Sequence, residues 1–300
     1  MLNWLGTRVD RWVRSTQPWT NVYGLARTLL AVGTASTLAF TPSSGLFRPA
    51  VGVPEVPVCA GPAAVTIYCL FPGHLEVAQW ASVVVLLVVA TGWRPRFTGL
   101  AHWWLSYSLH ASAITLDGGD QVTEVLTLLL LPVTLTDPRR WHWEAPPIPR
   151  LGFVSSSARL LALSCLLAVR VQVAAIYFHA STGKLRVEEW ANGTAVYYWF
   201  TDPSFGAAGW LRPALMPLLT NPFGVALLTW GALFLEIVLF MALVMPTWAW
   251  GPVLVVGILF HAMIGVVHGL VSFSLAMIAA LVLYLRPCRR EFDWLRSVSG

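Results

Sequence analysis

Apolar residues fill eight stretches of the chain, near 22–40, 74–92, 98–116, 120–136, 158–181, 222–245, 249–267 and 269–286, with prolines, glycines, arginines and tryptophans collecting between them. Each stretch approaches the ~20 apolar residues that a helix needs to cross a bilayer, within a range of about 17 to 25. The pattern predicts an all-α fold, a polytopic integral membrane helix bundle of about eight transmembrane helices. Only His268 and Gly269 divide the last two stretches, so seven spans is the alternative count. Between the fifth and sixth stretches, Thr182 to Asn221 carry Lys184, Arg186, Glu188, Glu189, Asp202 and Arg212 among tryptophans and tyrosines. This segment is too long for a simple turn and too apolar for a free tail, which predicts an amphipathic piece in the outer interface or one folded partly back on the bundle. The chain then divides into a cytoplasmic N-terminal segment (1–20), a transmembrane domain (21–286) and a cytoplasmic C-terminal tail (287–300).

Composition agrees with the pattern. With 57% hydrophobic residues, 11% charged residues and a mean hydropathy of +0.67, too little polar surface exists to enclose a soluble core. The first nineteen residues hold arginines and tryptophans but no apolar core followed by a small-residue cleavage site, so the first span is expected to be its own insertion signal. The net charge of +5 excludes nucleic acid as a partner once its distribution is read. With both termini cytoplasmic, thirteen basic residues, Arg150 among them, fall on the cytoplasmic side, whereas Arg48, Lys184, Arg186 and Arg212 fall outside. That asymmetry is the positive-inside rule, with tryptophans near the span ends as interfacial anchors.

Four cysteines are present. Cys59 and Cys69 share the proline- and glycine-rich first outer loop, where a disulfide is open to them, while Cys165 and Cys288 are expected as free thiols. The third span ends in TLDGGD, which sets Asp117 and Asp120 at its outer mouth. Asp120 reads either as a helix cap or as part of a polar site there. The connector DPRRWHWEAPPIPR after the fourth span reads as interfacial, with no chemistry assigned.

Ionisable side chains at membrane depth cost about 2.5 to 3.5 kcal/mol each on insertion scales, so they are expected to have partners or a function. Arg27, His110, Arg170, Glu236 and His261 are such residues. A pair between Arg170 and Glu236 would lower the cost of burying both. His110 and His261 either hydrogen-bond within the bundle or line a cavity opening near Lys184, and no third ligand supports a metal site. Lys184 is the single lysine among nineteen basic residues. Partly desolvated, a lysine can act as a neutral base where arginine cannot; the alternative is an interfacial lysine snorkelling to headgroups. No G-x-S-x-G, H-E-x-x-H or phosphate-binding glycine loop occurs.

Arg170-Val171-Gln172, Tyr177-Phe178, Lys184-Leu185, Trp190 and Gly193 stand in an order and spacing similar to the HTTM family, the membrane domain shared with vitamin K-dependent gamma-carboxylase. Arg27 in the first span, Trp230-Gly231 with Glu236, Phe260-His261 and Phe273-Ser274 follow in matching order, so the resemblance covers roughly residues 20 to 286. It implies Lys184 as the base that deprotonates a vitamin K-like quinol, assisted by His110, Asp120 and His261. Arg170, Gln172, Tyr177, Trp190 and Glu236 are then expected around the substrate pocket. The chain departs from the carboxylase where TLDGGD replaces a histidine-bearing turn, in a lysine-to-tryptophan spacing longer by one, and in ending at Gly300 without a soluble propeptide-binding domain. In these respects it is more similar to the bacterial branch typified by sporulation-delaying protein B. That branch implies maturation or export of a secreted peptide toxin, with a small partner protein and a secreted precursor peptide as partners besides membrane lipids. A quinol-dependent, carboxylase-like enzyme and a non-enzymatic scaffold or immunity-like binder are the alternatives.

Overall fold

The computed structural model describes residues 2–52, 55–145 and 152–296. Arg150, part of the connector and the last four residues of the tail lie outside the described residues. The described chain is helical, with no strand beyond an isolated bridge between Trp93 and Trp141. An amphipathic helix α1 (Leu2–Ser15) precedes α2 (Asn21–Phe40), α3 (Leu75–Thr91), α4 (Pro95–Ser112), α5 (Gly118–Leu135), α6 (Phe153–Lys184), α7 (Pro222–Met241), α8 (Trp250–His268) and α9 (Val271–Leu285). Helices α2 to α9 coincide with the eight apolar stretches. By length and apolarity α6, from Val154 onward, α7 and α8 suffice to cross a membrane, while α3 and α9 are apolar but shorter.

Local chemistry sets the ends. Asp117 caps α5, accepting from the Gly119 and Asp120 amides, and Asn221 caps α7, accepting from those of Phe223 and Gly224. Pro95 and Pro222 occupy first-turn positions where a missing N–H costs nothing. Gly269, at φ +72°, ends α8 and lets α9 begin two residues later, so the last two apolar stretches are separate helices.

Helix α9 is the hub. From Ala276 to Leu285 it is buried almost without exception, and it packs against α2, α5, α6 and α8. All-round hydrophobicity is what a fully enclosed helix requires. A second core lies under the loop between α2 and α3, where Cys59 and Cys69 form a disulfide and Tyr68 packs on Phe47 with ring centroids 4.7 Å apart. The segment 185–221 folds back over α7 and α8 as short helices, Glu188–Ala191, Ala195–Thr201 and Arg212–Leu219. The Val196 amide donates to Thr229 Oγ1, and the Ala208 amide to the Val267 carbonyl.

The connector after α5 does more than lie at an interface. Its His142 ring inserts between α2 and α3, where a Cβ at Gly92 would overlap it and one at Gly24 would approach to 3.1 Å. Arg27 reaches His142 Nδ1 at 3.4 Å and donates to Thr98, while Arg139 pairs with Asp137, which also accepts from Tyr23. The chain's two ends meet near this network: Asn21 donates to the Phe292 carbonyl and accepts from the Phe292 amide.

Candidate functional site

Helix α6 ends at Lys184, and the lysine reaches across to α7. Its Nζ donates to both carboxylate oxygens of Glu236, at 2.7 and 2.9 Å. Three features surround the Lys184 head group: the paired carboxylate, the C-terminal end of a long helix, and the Trp190 ring with its centroid 5.2 Å from Nζ. Lys184 is a quarter exposed, but Glu236 is nearly enclosed, so the carboxylate depends on this partner.

Beside the pair, His261 of α8 is 97% buried and shares a hydrogen bond of 2.9 Å between its Nε2 and the Tyr177 hydroxyl of α6. Its Nδ1 has no partner. Ser274 of α9 donates to the His261 carbonyl, and the Phe273 ring packs edge-on against the imidazole. Tyr177, Ser274 and Phe273 thereby fix the ring from two neighbouring helices.

Lys184, Glu236 and His261 form the polar end of a cavity of about 550 Å³ between α7 and α8. Trp190, Trp199, Phe200 and Phe205 of the folded-back segment close it from above, and Leu235, Phe260, Ile264 and Phe273 are among its apolar walls. His268 at the rim is held by the Phe205 carbonyl, 2.8 Å from its Nδ1. Such a cavity suits a largely apolar group bearing one polar end. Among the described residues no group of three or more His, Cys, Asp or Glu is placed to hold a metal.

The sequence-derived candidates separate into two sets. Lys184, Glu236, His261 and Trp190 meet at the cavity, and Tyr177 supports His261 from behind. The others stand elsewhere. Arg170 is not the partner of Glu236: it lies fourteen residues before Lys184, about 21 Å along the α6 axis, with its guanidinium 4.1 Å over the Trp250 ring. Gln172 shares that lower level. His110 is half-exposed, with Nδ1 3.5 Å from Glu124 Oε2. Asp120 is buried against Thr37 of α2. Sequence reading missed the aromatic roof and His268; the only signal was the tryptophan and tyrosine density after α6.

The model of the HTTM domain matches residues 154–291, which contain every residue lining the cavity. The chain is 40% identical over 303 residues to an uncharacterized protein of Bacillus subtilis (strain 168), YitO, across 99% of this chain and 96% of that protein. It is 35% identical over 286 residues to the sporulation-delaying protein SdpB of the same bacterium, across 94% of this chain and 86% of the relative. No solved structure matches.

Proposed function

Because the chain belongs to the HTTM family of membrane proteins, in the branch that includes SdpB, we propose that it serves the maturation or export of a secreted peptide toxin. The cavity beside the Lys184–Glu236 pair receives the apolar portion of the peptide or of its precursor. The observation that carries this reading is the pairing itself: one cation and one carboxylate meet, beside His261, at the end of a largely apolar, aromatic-roofed cavity. An incoming carboxylate or amine can exchange with one member of the pair, so a charged chain end or side chain beside an apolar segment is recognised by both chemistries at once.

In this reading the chain crosses the membrane eight times, with both termini cytoplasmic and the 185–221 segment on the outer side. The meeting of residues 21 and 292 at one end of the bundle supports an even number of crossings. A small partner protein and a secreted precursor peptide complete the system. The test is deletion of the gene followed by measurement of mature peptide in the medium. Unchanged peptide sinks the proposal, and restoration by wild type but not by Lys184→Met assigns the site.

A second reading, quinol-dependent chemistry with Lys184 as base, draws on the same cavity, whose aromatic walls would accept a ring. There the ammonium has first to surrender a proton to a neighbour such as Glu236. Quinol oxidation by the purified protein, abolished in Lys184→Arg, is the result that favours it.

A further inference from the structure

Helix α1 is clamped to the foot of α6, at the opposite end of that helix from the cavity. Arg159, in the second turn of α6, donates through Nε to the Val13 carbonyl at 3.0 Å and through Nη2 to the Thr16 carbonyl at 2.7 Å, which satisfies carbonyls that the end of α1 leaves open. Val13 is buried there, against α6. Twenty-five positions separate Arg159 from Lys184, about 37 Å along the α6 axis. A bilayer measures about 30 Å across its hydrocarbon and about 40 to 45 Å with its headgroups. With Lys184 near one headgroup layer, the clamp holds α1 at the level of the other.

Val9 and Trp12 share a helix face with Val13, being three and four residues apart, yet both are exposed. Trp4, Arg8 and Arg11 line an adjacent face at the same spacings, with the Arg8 guanidinium 4.0 Å over the exposed Trp4 ring. Asp10, the one acid of the helix, is taken by Arg14 at 2.7 Å. Arg8 and Arg11 therefore have no acidic partner among the described residues. Arg289 adds a third charge beside them, since its Nη2 donates to Ser15 Oγ and Thr16 Oγ1 at the end of α1.

An exposed apolar face bordered by unpaired arginines at headgroup height is complementary to a negatively charged membrane surface. Apolar side chains enter the boundary of the acyl region there, while guanidinium groups meet lipid phosphates. A soluble acidic protein would answer the arginines but not the exposed Val9 and Trp12. On α6, Leu160 and Leu161 directly follow the clamp and are exposed too, so lipid borders the same place. We propose that α1 is an interfacial helix that binds anionic phospholipid, with Val9 and Trp12 set into the leaflet and Arg8, Arg11 and Arg289 on its phosphates.

Amide hydrogen exchange of the full chain, in nanodiscs of phosphatidylcholine alone or of an equal mixture with phosphatidylglycerol, tests this. Exchange within α1 is expected to be about tenfold slower in the mixture, and the difference to shrink as sodium chloride is raised. The double variant Arg8→Gln, Arg11→Gln should exchange in the mixture at the phosphatidylcholine rate, and Trp12→Ser should exchange faster in both membranes. Amides of α9 serve as the control that each variant is folded. Equal α1 exchange in the two membranes overturns the proposal, as does slowing that the double variant keeps. Equal exchange in the two membranes combined with slowing on addition of soluble polyglutamate assigns the arginines to an acidic protein and overturns it as well.

Discussion

Lys184 Nζ lies within 2.9 Å of both carboxylate oxygens of Glu236, a residue 52 positions later on the neighbouring helix. Removing either partner leaves the other charge in a poorly solvated place. Lys184→Met and Glu236→Leu are each expected to cost about 3 kcal/mol, and the double variant much less than the sum. Unfolding in detergent measured as a double-mutant cycle checks this; additive losses would show that the pair does not interact energetically.

Tyr177→Phe removes the only hydrogen bond that the described residues make to the His261 ring while keeping the packing of the phenyl group. The expected loss is about 1 to 2 kcal/mol, because both imidazole nitrogens are then left without partners. Thermal unfolding measures the loss. Tyr284→Phe provides a contrast, since its hydroxyl bonds to backbone carbonyls of α7 and not to the cavity.

His142 predicts a pH dependence. Burial, followed by the charges of Arg27 and Arg139 and by His102, holds its pKa well below the ordinary 6.5. Tyr23 and Asp137 complete the titratable surroundings. Above about pH 6.5 the ring is neutral in folded and unfolded chains alike, and stability is fully present. As pH falls below that value the unfolded chain takes up a proton that the folded chain refuses, so stability declines. Denaturation followed between neutral and mildly acidic pH should show this slope, reduced in His142→Leu. Gly92→Ala should destabilise at every pH, by about 2 kcal/mol or more, because φ is +88° and the new methyl overlaps the ring.

The Cys59–Cys69 disulfide closes a short loop over the second core. Its removal by the paired Cys→Ser changes is expected to cost about 2 to 3 kcal/mol. In intact cells after reduction, a membrane-impermeant maleimide should label Cys59 and Cys69 but not Cys288. Labelling of Cys288 in a variant lacking the other cysteines would reverse the proposed orientation.

The helices were readable because a membrane-length apolar run leaves the chain little alternative, and Gly269 marked the break between α8 and α9. Partner choice was less readable. Arg170 and Glu236 have opposite charges and similar depth within their runs, yet α6 continues fourteen residues beyond Arg170, and Lys184 is the cation level with Glu236. Relative helix height depends on packing against α9, which no single stretch encodes. His142 was hidden for a similar reason: its connector has the composition of a surface loop, and the slot that receives it is made by glycines 50 and 118 residues earlier. The cavity shows both cases, since Lys184 stood out by rarity whereas the roof was only a density of aromatic residues.

Helix α6 stops at the ion pair, but α7 continues past it for fourteen residues toward Pro222, about 21 Å. The space a longer α6 would have filled is taken instead by helices of four and seven residues joined through Gly193 at φ +85°. Helices this short hold few internal hydrogen bonds and depend on their contacts for order. Local opening therefore costs least above the cavity and most along α9, so the roof can exchange with solvent while the bundle stays intact. Access to Lys184 is then governed by a local unfolding equilibrium, and a substrate that packs against Trp190 and Trp199 would shift that equilibrium by its own binding.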